Sequence, residues 1–148
     1  MSHTPLSPMD ELERLRVENE KLRATADHFE TLWQRLSSLI GKSPLVAWIK
    51  NAAGEYCYVS ERLCRLLGRP ADELLWRTDF EVLPTYAALQ AHKAEAQAMN
   101  SPDPVESIET FTSADGLASQ WKVIRFAISG SQNEMLVGAI AILLSSLG

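Results

Sequence analysis

A chain of 148 residues, 46% hydrophobic and 22% charged, has the apolar content for one core of ordinary domain size plus an extra helix. A formal charge of −5, with the basic residues scattered, leaves no positive footprint for nucleic acid, and direct DNA binding is not expected. The polar start Met1-Ser2-His3-Thr4-Pro5 lacks the apolar stretch of a secretory leader. The longest apolar run, residues 135–144, is about half of the ~20 residues that a membrane helix needs. A cytoplasmic protein without a membrane span is therefore expected. The two cysteines, Cys57 and Cys64, show no CxxC pairing and no His at ligand spacing, so they read as buried, reduced thiols.

In chain order, residues 1–8 hold Pro5 and Pro8 and read as a flexible lead-in. Residues 9–41 form one amphipathic helix with a heptad. Leu12, Asn19, Ala26, Trp33 and Ile40 take a positions, and Leu15, Leu22, Phe29 and Leu36 take d positions. Asn19 at a is the residue type that fixes register in two-stranded zippers. Glu11 and Glu18 at g precede Arg16 and Arg23 at e by the spacing that pairs charges across a parallel interface. A parallel homodimer seamed by Leu12, Leu15, Asn19, Leu22, Ala26, Phe29, Trp33 and Leu36 follows. The alternative is a monomeric helix whose Phe29, Trp33 and Leu36 dock on the domain's own sheet. Gly41-Lys42-Ser43-Pro44 then breaks the helix.

Residues 46–50 and 56–60 have strand composition, and Asn51-Ala52-Ala53-Gly54 between them suits a tight hairpin. Ser60 is placed to cap a short helix whose Leu63, Leu66 and Leu67 share a face. Gly68 ends that helix, and Pro70 opens the next. A short helical segment in residues 76–83 is closed by Pro84, and the alanine-rich residues 85–99 make a longer helix. Three strands remain, at 105–113, 117–128 and 134–144, with turns at Ala114-Asp115-Gly116 and in residues 129–133. The last strand is apolar on both faces, which suits a central strand covered on both sides.

In wording and order, Val46 to Ser60 followed by Glu61 to Leu75 resembles the opening of a PAS domain, the small sensory module of bacterial signalling proteins. Val105-Glu106-Ser107-Ile108-Glu109-Thr110-Phe111, Asp115-Gly116 and Trp121-Lys122-Val123-Ile124-Arg125-Phe126-Ala127-Ile128 are similar to PAS strands three and four in histidine kinases and cyclic-dinucleotide enzymes. The resemblance implies an α+β PAS fold over residues 45–145. Its five-stranded antiparallel sheet has order 2-1-5-4-3, with helices on one face and the long coiled-coil helix in front. A GAF-like module shares the element order but usually opens with a helix and needs a longer chain. PAS domains that feed a following effector usually leave the last strand through an Asp-Ile-Thr-like sequence. This one ends Ala141-Ile142-Leu143-Leu144-Ser145-Ser146-Leu147-Gly148, so either a fused effector lies beyond this sequence or output leaves by the N-terminal helix.

No GxSxG, HExxH, Walker or kinase signature is present, and no catalytic role is expected. The light-sensing LOV subfamily carries its reactive cysteine in the helix matching residues 77–83. This chain has none there, so a covalent flavin adduct is not expected. Haem-binding PAS proteins take an axial His from the helix matching residues 85–99, which makes His92 a candidate ligand for a gas or redox sensor; a surface histidine is the alternative. Otherwise a pocket for a small apolar ligand is implied, walled by Trp48, Tyr56 or Tyr58, Leu63, Leu67, Trp76, Phe80, Leu89, Ile108, Trp121 and Ile140. These side chains could equally fill the core outright. The expected function is a homodimeric sensory or regulatory module that relays a ligand- or partner-induced change through its coiled coil, in histidine-kinase or transcription-regulating systems. The alternatives are the His92 haem sensor and a ligand-free adaptor for protein association.

Overall fold

Ser7 sets the first element. In the computed structural model, which describes residues 4–147, its hydroxyl accepts from the Asp10 N–H at 3.2 Å and donates to the Asp10 carboxylate at 2.6 Å. That caps α1 (Pro8–Lys42), with Pro8 at the first helical position, where a missing N–H costs nothing. Residues 1–3 of the predicted lead-in lie outside the described residues. The chain divides into two units, one ending at Leu39 and the other starting at Ile40. No residue of α1 is buried, and its seam side chains Leu15, Leu22, Phe29 and Trp33 are exposed.

The second unit is built on a sheet of β1 (Val46–Lys50), β2 (Tyr56–Val59), β3 (Val105–Thr112), β4 (Ala118–Ser129) and β5 (Met135–Leu147). The order β2-β1-β5-β4-β3 with every neighbour antiparallel is the one the sequence implied. Between β2 and β3 run α2 (Glu61–Leu67), α3 (Ala71–Leu74), α4 (Asp79–Val82) and α5 (Thr85–Met99). Asn51 closes the β1–β2 hairpin by accepting from the Ala53 and Glu55 N–H groups, and Gly54 takes φ +79.

Strand alternation decides what is inside. Val46, Trp48, Trp121, Val123, Ala139 and Ala141 face the helices and form the core with Tyr56 and Leu63. Helix α5 packs against β4 through Ala88, Ala91 and Ala98, whose small side chains let its backbone approach closely. The expectation for β5 is cover by the helices on one face and by the N-terminal helix or a partner subunit on the other, and the first of these is what the structure shows. Val137, Ala139 and Ala141 are buried, whereas Ile142 and Leu144, which alternate to the other face, are exposed. Cys57 and Cys64, expected buried, are half-buried, and desolvation raises both thiol pKa values.

Candidate functional site

The alternation that buries Val46 and Trp48 also turns Lys50 inward, where it is 2% exposed. A buried lysine ammonium needs partners, and two neighbouring elements supply them. A bulge in β2 pairs Trp48 with Val59, Ile49 with Tyr58 and Lys50 with Tyr56, leaving Cys57 unpaired. Tyr56 and Val59 both join the core side as a result. The segment before α4 is then stitched to Tyr56: the Tyr56 N–H donates to Arg77 O at 3.0 Å, and the Trp76 N–H donates to Tyr56 O at 2.8 Å. The Thr78 N–H donates to Glu81 Oε2 at 2.8 Å, which starts α4 and sets its first residue, Asp79, beside the sheet.

Lys50 Nζ donates to Asp79 Oδ2 and to Glu95 Oε1 of α5, and the Tyr56 hydroxyl donates to Asp79 Oδ1. The ammonium also lies 4.8 Å from the Tyr56 ring centroid. Alongside is a second buried cation, Arg125 of β4. Its guanidinium grips Glu109 of β3 through both terminal nitrogens, Nη2 to Oε2 at 3.2 Å, and its Cζ lies 5.8 Å from the Trp48 ring centroid.

Two cations thus meet three carboxylates, and burial and the ion pairs move the groups in different directions. Burial raises the Glu95 pKa, with Lys50 offsetting part of the effect and Asp79 adding to it. Burial and the Asp79 carboxylate push the Tyr56 phenol well above its ordinary value. For Glu109 burial acts upward, but the hydrogen bonds and charge of Arg125 outweigh it and leave the pKa lowered.

Between the sheet and helices α4 and α5 lies a cavity of about 30 Å³. Its polar wall is Trp48, Lys50, Tyr56, Asp79, Glu109 and Arg125, and its apolar wall includes Leu63, Leu67 and Phe111. Such a volume holds one or two waters, so a larger ligand requires side chains to move. Two buried donors on residues of this wall, Trp48 Nε1–H and Arg125 Nε–H, have no hydrogen-bond acceptor among the described residues.

Of the residues expected to form a pocket, the structure brings Trp48, Tyr56, Leu63 and Leu67 to this cavity. Trp121 is buried in the adjoining core, edge-on to Phe111. Tyr58 is half-buried because the β2 bulge turns it from Tyr56's face, and Ile140 is half-buried on the β5 face opposite Ala139 and Ala141. Trp76, Phe80, Leu89 and Ile108 are exposed and do not line the cavity. Ile108 alternates outward between Ser107 and Glu109, and Leu89 lies off the α5 face that buries Ala88, Ala91, Glu95 and Ala98. Phe80 follows the inward-turned Asp79, and Trp76 sits at φ +64 in the linker.

His92 is exposed on α5, 6.4 Å from the Phe80 ring, and is absent from the cavity wall. It lines instead a separate hollow of about 220 Å³ with Asn51, Gly54, Met99 and Val137, and its outward position does not fit a haem held in the cavity. Among the described residues, no cluster of His, Cys, Asp or Glu suits a metal ion, and no helix is long and apolar enough to cross a membrane.

No protein-family profile matches the chain, and no curated protein sequence matches it. Solved structures do match. The PAS domain of an HTR-like protein from Haloarcula marismortui superposes with a TM-score of 0.63 at 20% identity, over 82% of this chain and 99% of that one. The VqmA dimer of Vibrio cholerae, described among LuxR-type receptors, gives 0.67 at 18% identity over 76% of this chain and 51% of that one. The PAS domain of Bordetella pertussis BvgS gives 0.62 at 14% identity, covering 78% and 88%. This chain therefore spans about half the length of VqmA and nearly all of the isolated PAS domains. Strand order, the helices between β2 and β3, and these superpositions define one class: the fold is that of PAS domains.

Proposed function

We propose that this chain is a sensory or regulatory PAS module that works as a parallel homodimer through α1. A ligand or partner that prefers one packing of the domain shifts the geometry of the paired helices, and that shift is the output. The carrying observation is the exposed seam of α1: Leu12, Leu15, Leu22, Phe29, Trp33 and Leu36 are 45% to 65% exposed and repeat at heptad spacing around Asn19. A helix with such a stripe gains from pairing, since each large side chain contributes about 1.5–3 kcal/mol when fully buried. The fold supports the sensory part of the reading. VqmA has been solved bound to DPO, in a ligand–DNA complex, and as a dimer whose conformation shifts without target DNA. Here the effector is of the transcription-regulating or histidine-kinase class, and the module itself acts in the cytoplasm without catalysis or direct contact with nucleic acid.

Native mass spectrometry with an absorbance spectrum on freshly purified protein tests this. A dimer carrying extra mass supports a ligand sensor, and a chain that stays monomeric at high concentration rejects the dimeric relay. The small cavity favours one second reading, a ligand-free adaptor, which a dimer of bare chains would support.

A further inference from the structure

The basic residues are scattered along the sequence, but the fold gathers three of them. Lys42, which ends α1, and Arg62 and Arg65 of α2 line an open hollow of about 580 Å³ whose wall also includes Leu66 and Trp121. All of them belong to the second unit, and the hollow shares no residue with the cavity between the sheet and the helices. Among the described residues, Lys50, Arg62, Lys122 and Arg125 are the lysines and arginines that are buried or half-buried. Lys50, Lys122 and Arg125 each hold a carboxylate, and Arg62 has none. Lys42 has no carboxylate partner either, and Arg65 has Glu61 of its own helix, in an exposed pair of the kind that holds weakly. The hydroxyls of the wall are already engaged: Ser43 donates to Ile40 O at 2.7 Å, and Ser113 donates to the Asp115 carboxylate. Three cations around one concavity, with Glu61 as their one ionic partner, make a positive field that a multiply charged anion relieves.

We propose that this hollow binds a small phosphate-bearing molecule, its phosphoryl oxygens held by Arg62, Arg65 and Lys42 and its body lying on Leu66. Two guanidinium forks match phosphate oxygens in pairs, and the lysine adds a point charge. The site goes beyond the sensory reading above and does not depend on it. Because Lys42 ends α1 and the two arginines lie on α2, an anion held by all three ties the end of α1 to α2.

The full chain, labelled with 15N, is titrated with phenyl phosphate, inorganic phosphate and phenol at constant ionic strength while its amide and arginine Nε–H resonances are followed. Phenyl phosphate is expected to bind saturably in the millimolar range, and more tightly as pH rises through about 6, where a phosphate monoester gains its second charge. Phenol is expected not to bind. Arg62→Gln should weaken phenyl phosphate roughly tenfold, with part of the affinity recovered in Arg62→Lys, which separates lost charge from lost folding. Lys42→Gln, at an exposed position, should weaken it severalfold, and Arg69→Gln, an exposed arginine outside the hollow, should leave it unchanged. Inorganic phosphate binding as tightly as phenyl phosphate supports the site with the free ion as its ligand, and weaker binding supports it with an organic phosphate. An equal loss in Arg69→Gln reduces the effect to general surface charge and overturns the site. Phenol binding as tightly as phenyl phosphate, or no saturable shift with either phosphate, overturns it too.

Discussion

Lys50 of β1 and Glu95 of α5, separated by 45 residues in sequence, share a buried ion pair that ties the sheet to the long helix across the core. Asp79 completes the tie by holding the same ammonium and the Tyr56 hydroxyl, so three separate segments depend on one cation. Lys50→Met leaves two carboxylates in a low-dielectric site without a counter-charge. It should lower stability by about 3–5 kcal/mol, read as a reduced urea midpoint. Adding Glu95→Gln should recover part of that loss, because one of the orphaned charges is then gone. Purely additive effects would show that the three side chains do not act as a unit.

The two buried glutamates make opposite demands on pH. Glu95 has a raised pKa, so its contribution is fully present below the ordinary carboxylate value and is lost as pH rises through the raised one. Glu95→Gln, a mimic of the neutral form, should therefore gain stability relative to the natural protein as pH rises through that window. Glu109 has a lowered pKa, so its contribution is present above the ordinary value of 4.5 and disappears as pH falls through the lowered one. Glu109→Gln should cost stability at neutral pH, and the deficit should close in acid. Urea unfolding across pH 3–8, a range of about five units around these carboxylates, reads both slopes; slopes of the same sign for the two variants would contradict the assignment.

Fold and site differed in how far the sequence revealed them. Hairpin, caps and strands are short-range signals, and Asn51, Ser60 and Gly68 sit where their chemistry said they would. The ionic cluster was missed because it is a product of register. A lysine ending a strand reads as a solvated boundary until β1 is paired, yet Val46, Trp48 and Lys50 occupy one face of a period-two pattern. Trp121, Val123 and Arg125 repeat the device on β4, and Glu95 falls seven residues after Ala88 and four after Ala91 on α5. That periodicity was available as a signal. Trp76, Phe80, Leu89 and Ile108, named for their apolar character, are exposed away from the cavity because apolar character does not carry facing direction.

If α1 pairs in parallel, Asn19 meets its twin. Asn19→Cys, made in a Cys57→Ser/Cys64→Ser background, should cross-link to itself under mild oxidation, whereas an antiparallel pair would leave it unlinked. Asn19→Val should tighten the dimer in sedimentation while relaxing its register, because the polar residue at a seam position specifies alignment at a cost in stability.

Ser60 serves two elements at once. Its hydroxyl oxygen accepts from the Leu63 N–H at 3.3 Å, capping α2, and from the Ala47 N–H at 3.0 Å, holding β1. Ser60→Ala orphans both donors in a site 2% exposed, and a loss of about 1–3 kcal/mol is expected in chemical denaturation. Ser60→Asn, which can still cap, should lose less.

Gly68 closes α2 in the left-handed conformation, φ +66, where its N–H donates to Arg65 O at 3.2 Å. It also faces the β3–β4 turn: a Cβ built there lies 2.5 Å from the Ala114 Cβ, and the Ala114 N–H donates to Leu66 O at 3.3 Å. Gly68→Ala meets two separate penalties, roughly 1–2 kcal/mol for left-handed backbone and ~1–3 kcal/mol for the clash. Ala114→Gly in the same chain removes the second and leaves the first, because the strain at residue 68 belongs to its own backbone. The double variant should therefore be more stable than Gly68→Ala alone yet less stable than Ala114→Gly alone, and a thermal melt of the three variants separates the terms. Full recovery in the double variant would mean that the close approach to the turn, and not the left-handed cap, is what requires glycine here.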